Sequence, residues 1–64
     1  MRRVEFIPTG AAFTRTGYMH EDGTIHGVRA FGGGYATLWT DPSFYGYAFG
    51  PGGLVVGTWR EVIA

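Results

Sequence analysis

The chain has 64 residues, no cysteine, and five arginines against five acids, so its formal net charge is zero. That excludes disulfide scaffolds and thiolate metal sites, and it removes any global field drawing the chain to nucleic acid, an anionic membrane or an acidic substrate. Aromatic residues reach 17% while charged residues stop at 16%, against about 25% charged in ordinary domains, a balance that favours self-association in so small a domain.

The first predicted element is a strand from Arg2 to Pro8, where Val4 and Phe6 alternate with Arg3, Glu5 and Ile7. Pro8 ends it, because proline cannot donate to a ladder. A second strand is expected over Phe13 to His20, rich in threonine and aromatic residues. Asp22-Gly23 then signals a tight hairpin. A two-residue turn there sets His20 against Ile25 and Tyr18 against Gly27, a ring lying across a facing glycine. A three-residue turn would instead set Arg15 against Arg29, two like charges. The two-residue register is therefore expected.

Thr24 to Phe31 reads as the third strand, and Gly32-Gly33-Gly34 as the turn after it. Tyr35 to Thr40 is the fourth strand and Phe44 to Phe49 the fifth, joined by Asp41-Pro42-Ser43. Gly50-Pro51-Gly52-Gly53 turns into a sixth strand, Leu54 to Ile63, which Gly57 is expected to bend or bulge. No segment shows a helical period with caps. The expected fold is all-β: a six-stranded antiparallel meander in one domain over residues 1–64, closed into a small barrel or packed on a copy of itself. Asp22 to Val28 also aligns with Asp41 to Tyr47 at an offset of nineteen, in the pattern Asp, turn residue, hydroxyl, apolar, ring, Gly, apolar. Such a spacing is that of one β-hairpin.

Residues suited to catalysis are sparse. The lone serine, Ser43, follows a proline in a turn, and no adjacent base or orienting group accompanies it. His20, Glu21, Asp22 and His26 cluster around the hairpin, but the expected register points the two histidines to opposite faces, away from a shared metal. The triple glycine lacks the lysine and following helix of a phosphate loop. The expectation is a protein that is not an enzyme and uses no cofactor or metal.

The informative stretch is Phe31 to Gly53, with seven of the twelve glycines and seven of the eleven aromatic residues. On the fifth strand Tyr45, Tyr47 and Phe49 oppose Phe44, Gly46 and Ala48; on the sixth, Leu54, Val56 and Val62 oppose Val55, Trp59 and Ile63. A sheet with one wet face alternates apolar and polar residues, whereas two apolar faces imply two covers. Tyrosine, tryptophan and arginine concentrate binding energy at interfaces. Tyr35, Trp39, Tyr45, Tyr47, Trp59, Arg29 and Arg60 are thus the candidate partner- or ligand-binding residues.

The expected function is a non-catalytic binding module, a homo-oligomer that engages a protein or captures a small ligand between subunits. Its size and composition suit a virus- or phage-encoded accessory protein that acts as an inhibitor of a host protein. The alternative is a small barrel that binds nucleic acid through stacking aromatics and arginines. No apolar run has the length of a membrane-crossing helix and no signal peptide follows Met1, so the expected location is cytoplasmic, in a host cytoplasm for a viral protein.

Overall fold

The computed structural model describes residues 1–30 and 32–62. Six strands, β1 (Arg2–Pro8), β2 (Arg15–Met19), β3 (Thr24–Arg29), β4 (Tyr35–Trp39), β5 (Tyr47–Phe49) and β6 (Val55–Glu61), pair in chain order, each antiparallel to the next. β6 returns to β1 and closes the barrel. Of the two expected arrangements, closure is the one adopted. No described helix is long and apolar enough to cross a membrane.

Closure follows from the pattern of the two terminal strands. Val4 and Phe6 point inward from β1, and Phe6 stands opposite Trp59 of β6. On the outer face, Glu5 stands opposite Arg60, whose Nε donates to Glu5 Oε1 at 2.9 Å, and Arg2 Nη1 donates to Glu61 Oε1 at 2.6 Å. The interior holds Val4, Phe6, Met19, Ile25, Val28, Leu38, Ala48 and Trp59, drawn from all six strands, and no buried polar or charged residue among those described. So narrow a barrel also needs inward positions without side chains. A Cβ on Gly17 would lie 2.6 Å from the Ile25 Cγ2 and 2.7 Å from the Val28 Cγ2.

The β2–β3 hairpin corrects the expected register. Tyr18 pairs with His26 and Met19 with Ile25, and the His20 N–H donates to the Thr24 carbonyl at 2.8 Å. The loop therefore has three residues, Glu21 to Gly23. A two-residue type I′ turn needs positive φ at both central residues, and only Gly23 (φ 88) adopts it. Asp22 is held by its side chain instead: its Oδ1 accepts from the Thr24 hydroxyl at 2.6 Å and the Thr24 N–H at 3.0 Å. Those two bonds, the hydroxyl first, hold the Asp22 carboxyl below its ordinary value.

Shifting the register by one residue exchanges the faces. His20 and His26 consequently stand together on the outer surface, ring centroids 4.2 Å apart, not on opposite faces as the two-residue turn implied. The like-charge objection to this register does not materialise, because the irregularity at Gly27 (φ 78) turns Val28 inward and Arg29 to the outer face, while Arg15 stays in the inner row of β2. Arg15 and Arg29 then stack on separate rings, Phe13 and Tyr35. Tyr18 still covers Gly27, where an added Cβ would sit 3.4 Å from its ring.

The fifth strand is shorter than its sequence suggests. The Asp41 Oδ1 accepts from the Ser43 N–H at 2.9 Å and Pro42–Phe44 winds into a 3-10 turn, leaving three residues for β5. The nineteen-residue repeat has a structural echo here. Asp22 and Asp41 each accept from the N–H two residues on, and Gly27 and Gly46 (φ 93) both take positive φ. The copies diverge between those points, one as strand and one as 3-10 turn. In β6 a register shift against β5 near Gly57 confirms the expected irregularity and turns Trp59 inward, with Val55 half exposed. The sequence-based third and sixth strands extend to Phe31 and Ile63, which lie outside the described residues.

Candidate binding groove at the open seam

The barrel closes unevenly. β4 pairs with β3 at Thr24–Trp39, Ile25–Leu38, Val28–Ala36 and Arg29–Tyr35, but with β5 only at Trp39–Phe49. Trp39 ends β4 and Phe49 ends β5, so the two strands overlap only at those tips. Beyond Phe49 the chain turns away through Gly50-Pro51, where proline has no N–H to continue a ladder. Among the described residues, Tyr35–Leu38 therefore have no register partner on that side. Backbone donors and acceptors on a strand point alternately to its two sides, so two of those four residues present theirs to the open edge.

The opening continues into a groove of about 890 Å³ across this end of the barrel, with Ala36–Trp39 of β4 on one side, Gly50-Pro51 and Val56 on the other, and Pro8–Ala11 beyond, within the usual range for small-ligand sites of about 300–1,000 Å³. Its floor is the barrel interior itself, reached through Phe6, Val28, Leu38 and Val56, and its walls include Trp39 and Pro51. Two arginines stand at its rim. Arg15 falls in the inward-facing row of β2 with the buried Gly17 and Met19, at the very mouth, and its guanidinium lies 4.9 Å from the Phe13 ring centroid. Arg29 faces outward on β3, its guanidinium 5.9 Å from the Tyr35 ring centroid. Both distances suit cation–π contact. The ion pairs among described residues are Arg2–Glu61 and Arg60–Glu5, so neither rim arginine has a carboxylate partner there.

Charge is divided along the barrel axis. Antiparallel order places Glu21, Asp22 and Asp41 in the loops at one end, with Arg15 and Arg29 at the other. No acid lies in the segments that build the arginine end, residues 6–15, 27–36 and 48–57. A net charge of zero thus conceals two ends of opposite sign. The acidic end has its own opening of about 510 Å³, where Arg2, His20, Asp41 and Tyr45 meet Trp59.

The seven candidate residues separate into distinct places. Trp39 (44% exposed) and Arg29 line the groove, and Tyr35 (71%) stands outside its lining beside Arg29. Tyr47 projects from β5 beside Val55 on a second, shallow apolar surface. Tyr45 lies in a turn at the acidic end and packs edgewise on Trp59, centroids 5.0 Å apart. Trp59 is an interior residue, 7% exposed, and its Nε1 has no partner among the described residues. It shares the inner row with Gly57, and so does not belong with Val55 on an outer face as simple alternation across the bulge implied. Arg60 is held by Glu5 on the outer β1–β6 surface. The residues that sequence reasoning missed are Arg15 and Phe13 at the mouth and Ala36, Leu38, Pro51 and Val56 in the groove. The signal available was charge by strand end: once six antiparallel strands are written out, Arg15 and Arg29 fall at an end that holds no acid.

No protein-family description, curated protein or solved structure matches the chain.

Proposed function

We propose that this protein is a non-catalytic binding module that engages a protein partner through the apolar groove at the barrel end beside the open edge of β4. One observation carries the reading: interior side chains, an incompletely paired strand edge and unpaired arginines converge on one opening. A gap of that composition leaves apolar surface and backbone groups unsatisfied by protein, and a partner satisfies both. Supporting the non-catalytic part, Ser43, the one serine of the chain, sits in an exposed 3-10 turn. Nucleic-acid binding is the weaker reading, since Arg2 and Arg60 are tied to carboxylates.

Self-association belongs to a different surface in this proposal. Tyr47, Leu54 and Val55 are exposed on the β5–β6 side, and opposite charges at the two ends favour copies lying side by side in antiparallel orientation. A dimer of standard size covers about 800 Å² per partner.

Solution NMR of the isotope-labelled protein with isopropanol and phenol as small probes tests the groove without a known partner. Amide shifts concentrated on Val28, Ala36–Trp39 and Val56 are expected. Shifts spread evenly over all exposed aromatics would refute the groove as a privileged surface. Sedimentation at micromolar concentration tests self-association: a strict monomer removes that half of the proposal.

A further inference from the structure

The open edge, the apolar floor and the rim arginines are three separate features, and each constrains the occupant. An apolar floor accepts any greasy group. Unpaired strand-edge donors and acceptors are satisfied only by another backbone or by water. Two arginines without carboxylates, at an end of the barrel with no acid, complement an anion. A fatty chain ending in a carboxylate meets the first and third conditions and leaves the edge open. A second copy of this barrel brings apolar surface and its own open edge, but in parallel orientation its arginine end repels that of its neighbour, and in antiparallel orientation the strand that would pair, Tyr35–Leu38, itself carries no acid. One kind of occupant meets all three conditions.

Resting on the groove as the binding surface, we infer that the partner contributes an extended acidic peptide segment, which lies along Tyr35–Leu38 in the place that β5 vacates. β5 runs antiparallel to β4 and stops at Phe49. A segment continuing its direction is antiparallel to β4 and leads towards the arginine end. The open edge of four residues spans about 13 Å, so the paired part is short. Alternate side chains of the segment point into the groove against Leu38 and Val56, and those between them point to solvent. Its C-terminal side carries the carboxylates, which reach Arg15 at the mouth and Arg29 beside Tyr35. Apolar positions supply affinity, the edge fixes the backbone, and the arginines select charge and direction.

The experiment is selection from a random octapeptide library displayed on phage, using the intact 64-residue protein, followed by amide hydrogen exchange with the recovered peptides. Recovered sequences are expected to alternate apolar and polar residues and to carry Asp or Glu towards the C-terminal side. Bound peptide should slow exchange at amides within Ala36–Leu38. The double variant Arg15→Gln/Arg29→Gln, checked for folding by near-ultraviolet circular dichroism, should bind them at least tenfold more weakly, and Arg29→Glu should shift selection towards basic residues. Recovery without acidic enrichment, or with protection mapped away from β4, overturns the inference. Dodecanoate binding in the groove with no peptide recovered also overturns it and leaves the groove reading intact. If neither dodecanoate nor peptide binds and the solvent probes find no groove, both readings fall.

Discussion

Gly57 stands where β6 closes onto β1, and its replacement by alanine tests the closure directly. Gly57 pairs with Pro8 and faces the interior. An added Cβ would fall well inside contact distance of the Ile7 carbonyl oxygen, 3.0 Å from the Ile7 carbonyl carbon and 2.6 Å from the Phe6 Cε1. Two of those atoms are backbone, so no rotamer change relieves the clash and the β1–β6 ladder must open. Overpacking commonly costs about 1–3 kcal/mol, and a backbone clash belongs at the upper limit. A domain of this length has roughly 3–10 kcal/mol in total, so Gly57→Ala removes much of it. At about 4–8 °C per kcal/mol for small domains, the melting temperature should fall by roughly 12–24 °C. Urea unfolding followed by tryptophan fluorescence measures the change.

Two companion variants set the scale. Gly17→Ala meets the Cγ2 methyl groups of Ile25 and Val28 most closely, with the His26 carbonyl oxygen further off at 3.3 Å, and should cost about 1–2 kcal/mol. Gly10→Ala has open space but a φ of 77°, a left-handed strain of about 1 kcal/mol. The expected order of damage is Gly57, then Gly17, then Gly10. A Gly57→Ala protein within about 0.5 kcal/mol of the parent would refute the closed β1–β6 register.

Two further expectations concern Trp59 and Asp22. Trp59→Phe keeps most of the ring and deletes an N–H without a partner, so it should cost less than about 1.5 kcal/mol, whereas Trp59→Ala should cost about 3–5 kcal/mol. Equal losses in a denaturation series would mean that the indole N–H is bonded. Asp22 titrates below its ordinary value of 3.8 because Thr24 donates to its carboxylate. Its folded value is the lowered one, so the contribution of these bonds is present above the unfolded value and is lost as pH falls through the folded one. Carboxyl-detected NMR should show the Asp22 midpoint rising in Thr24→Val; an unchanged midpoint would exclude the hydroxyl as the main cause.

Local chemistry accounts for the elements that sequence reasoning located well. Alternation over Arg2–Pro8 and Tyr35–Trp39 sets those strands, and Pro51 and the glycines around it set where β5 must end. Where expectation and structure part, a side chain outcompeted the backbone pattern. Asp22 bonding to Thr24 made the hairpin loop three residues long, and Asp41 bonding to Ser43 extended the expected turn into a 3-10 turn that takes Phe44 from the fifth strand. Each involves an Asp two residues before a donor, a contact that apolar periodicity does not register. The one-residue change at the hairpin was enough to bring His20 and His26 to the same face.

The candidate site was legible only in part. Tyr35 and Trp39 are exposed, as expected where large apolar side chains exceed a small interior. Trp59 carried the same composition signal but lies inside, since the bulge near Gly57 decides its direction. Arg15 carried no signal while its strand partners were unknown.

The sequence by itself determined an all-β chain of six short antiparallel strands without disulfides, because alternation, turn residues and the absence of cysteine are local properties. Only the tertiary structure decided that β6 meets β1, that β4 and β5 overlap at a single pair, and that Arg15 and Arg29 share an end without acids. Those facts depend on register between strands far apart in the chain, and a one-residue shift in register exchanges interior and surface.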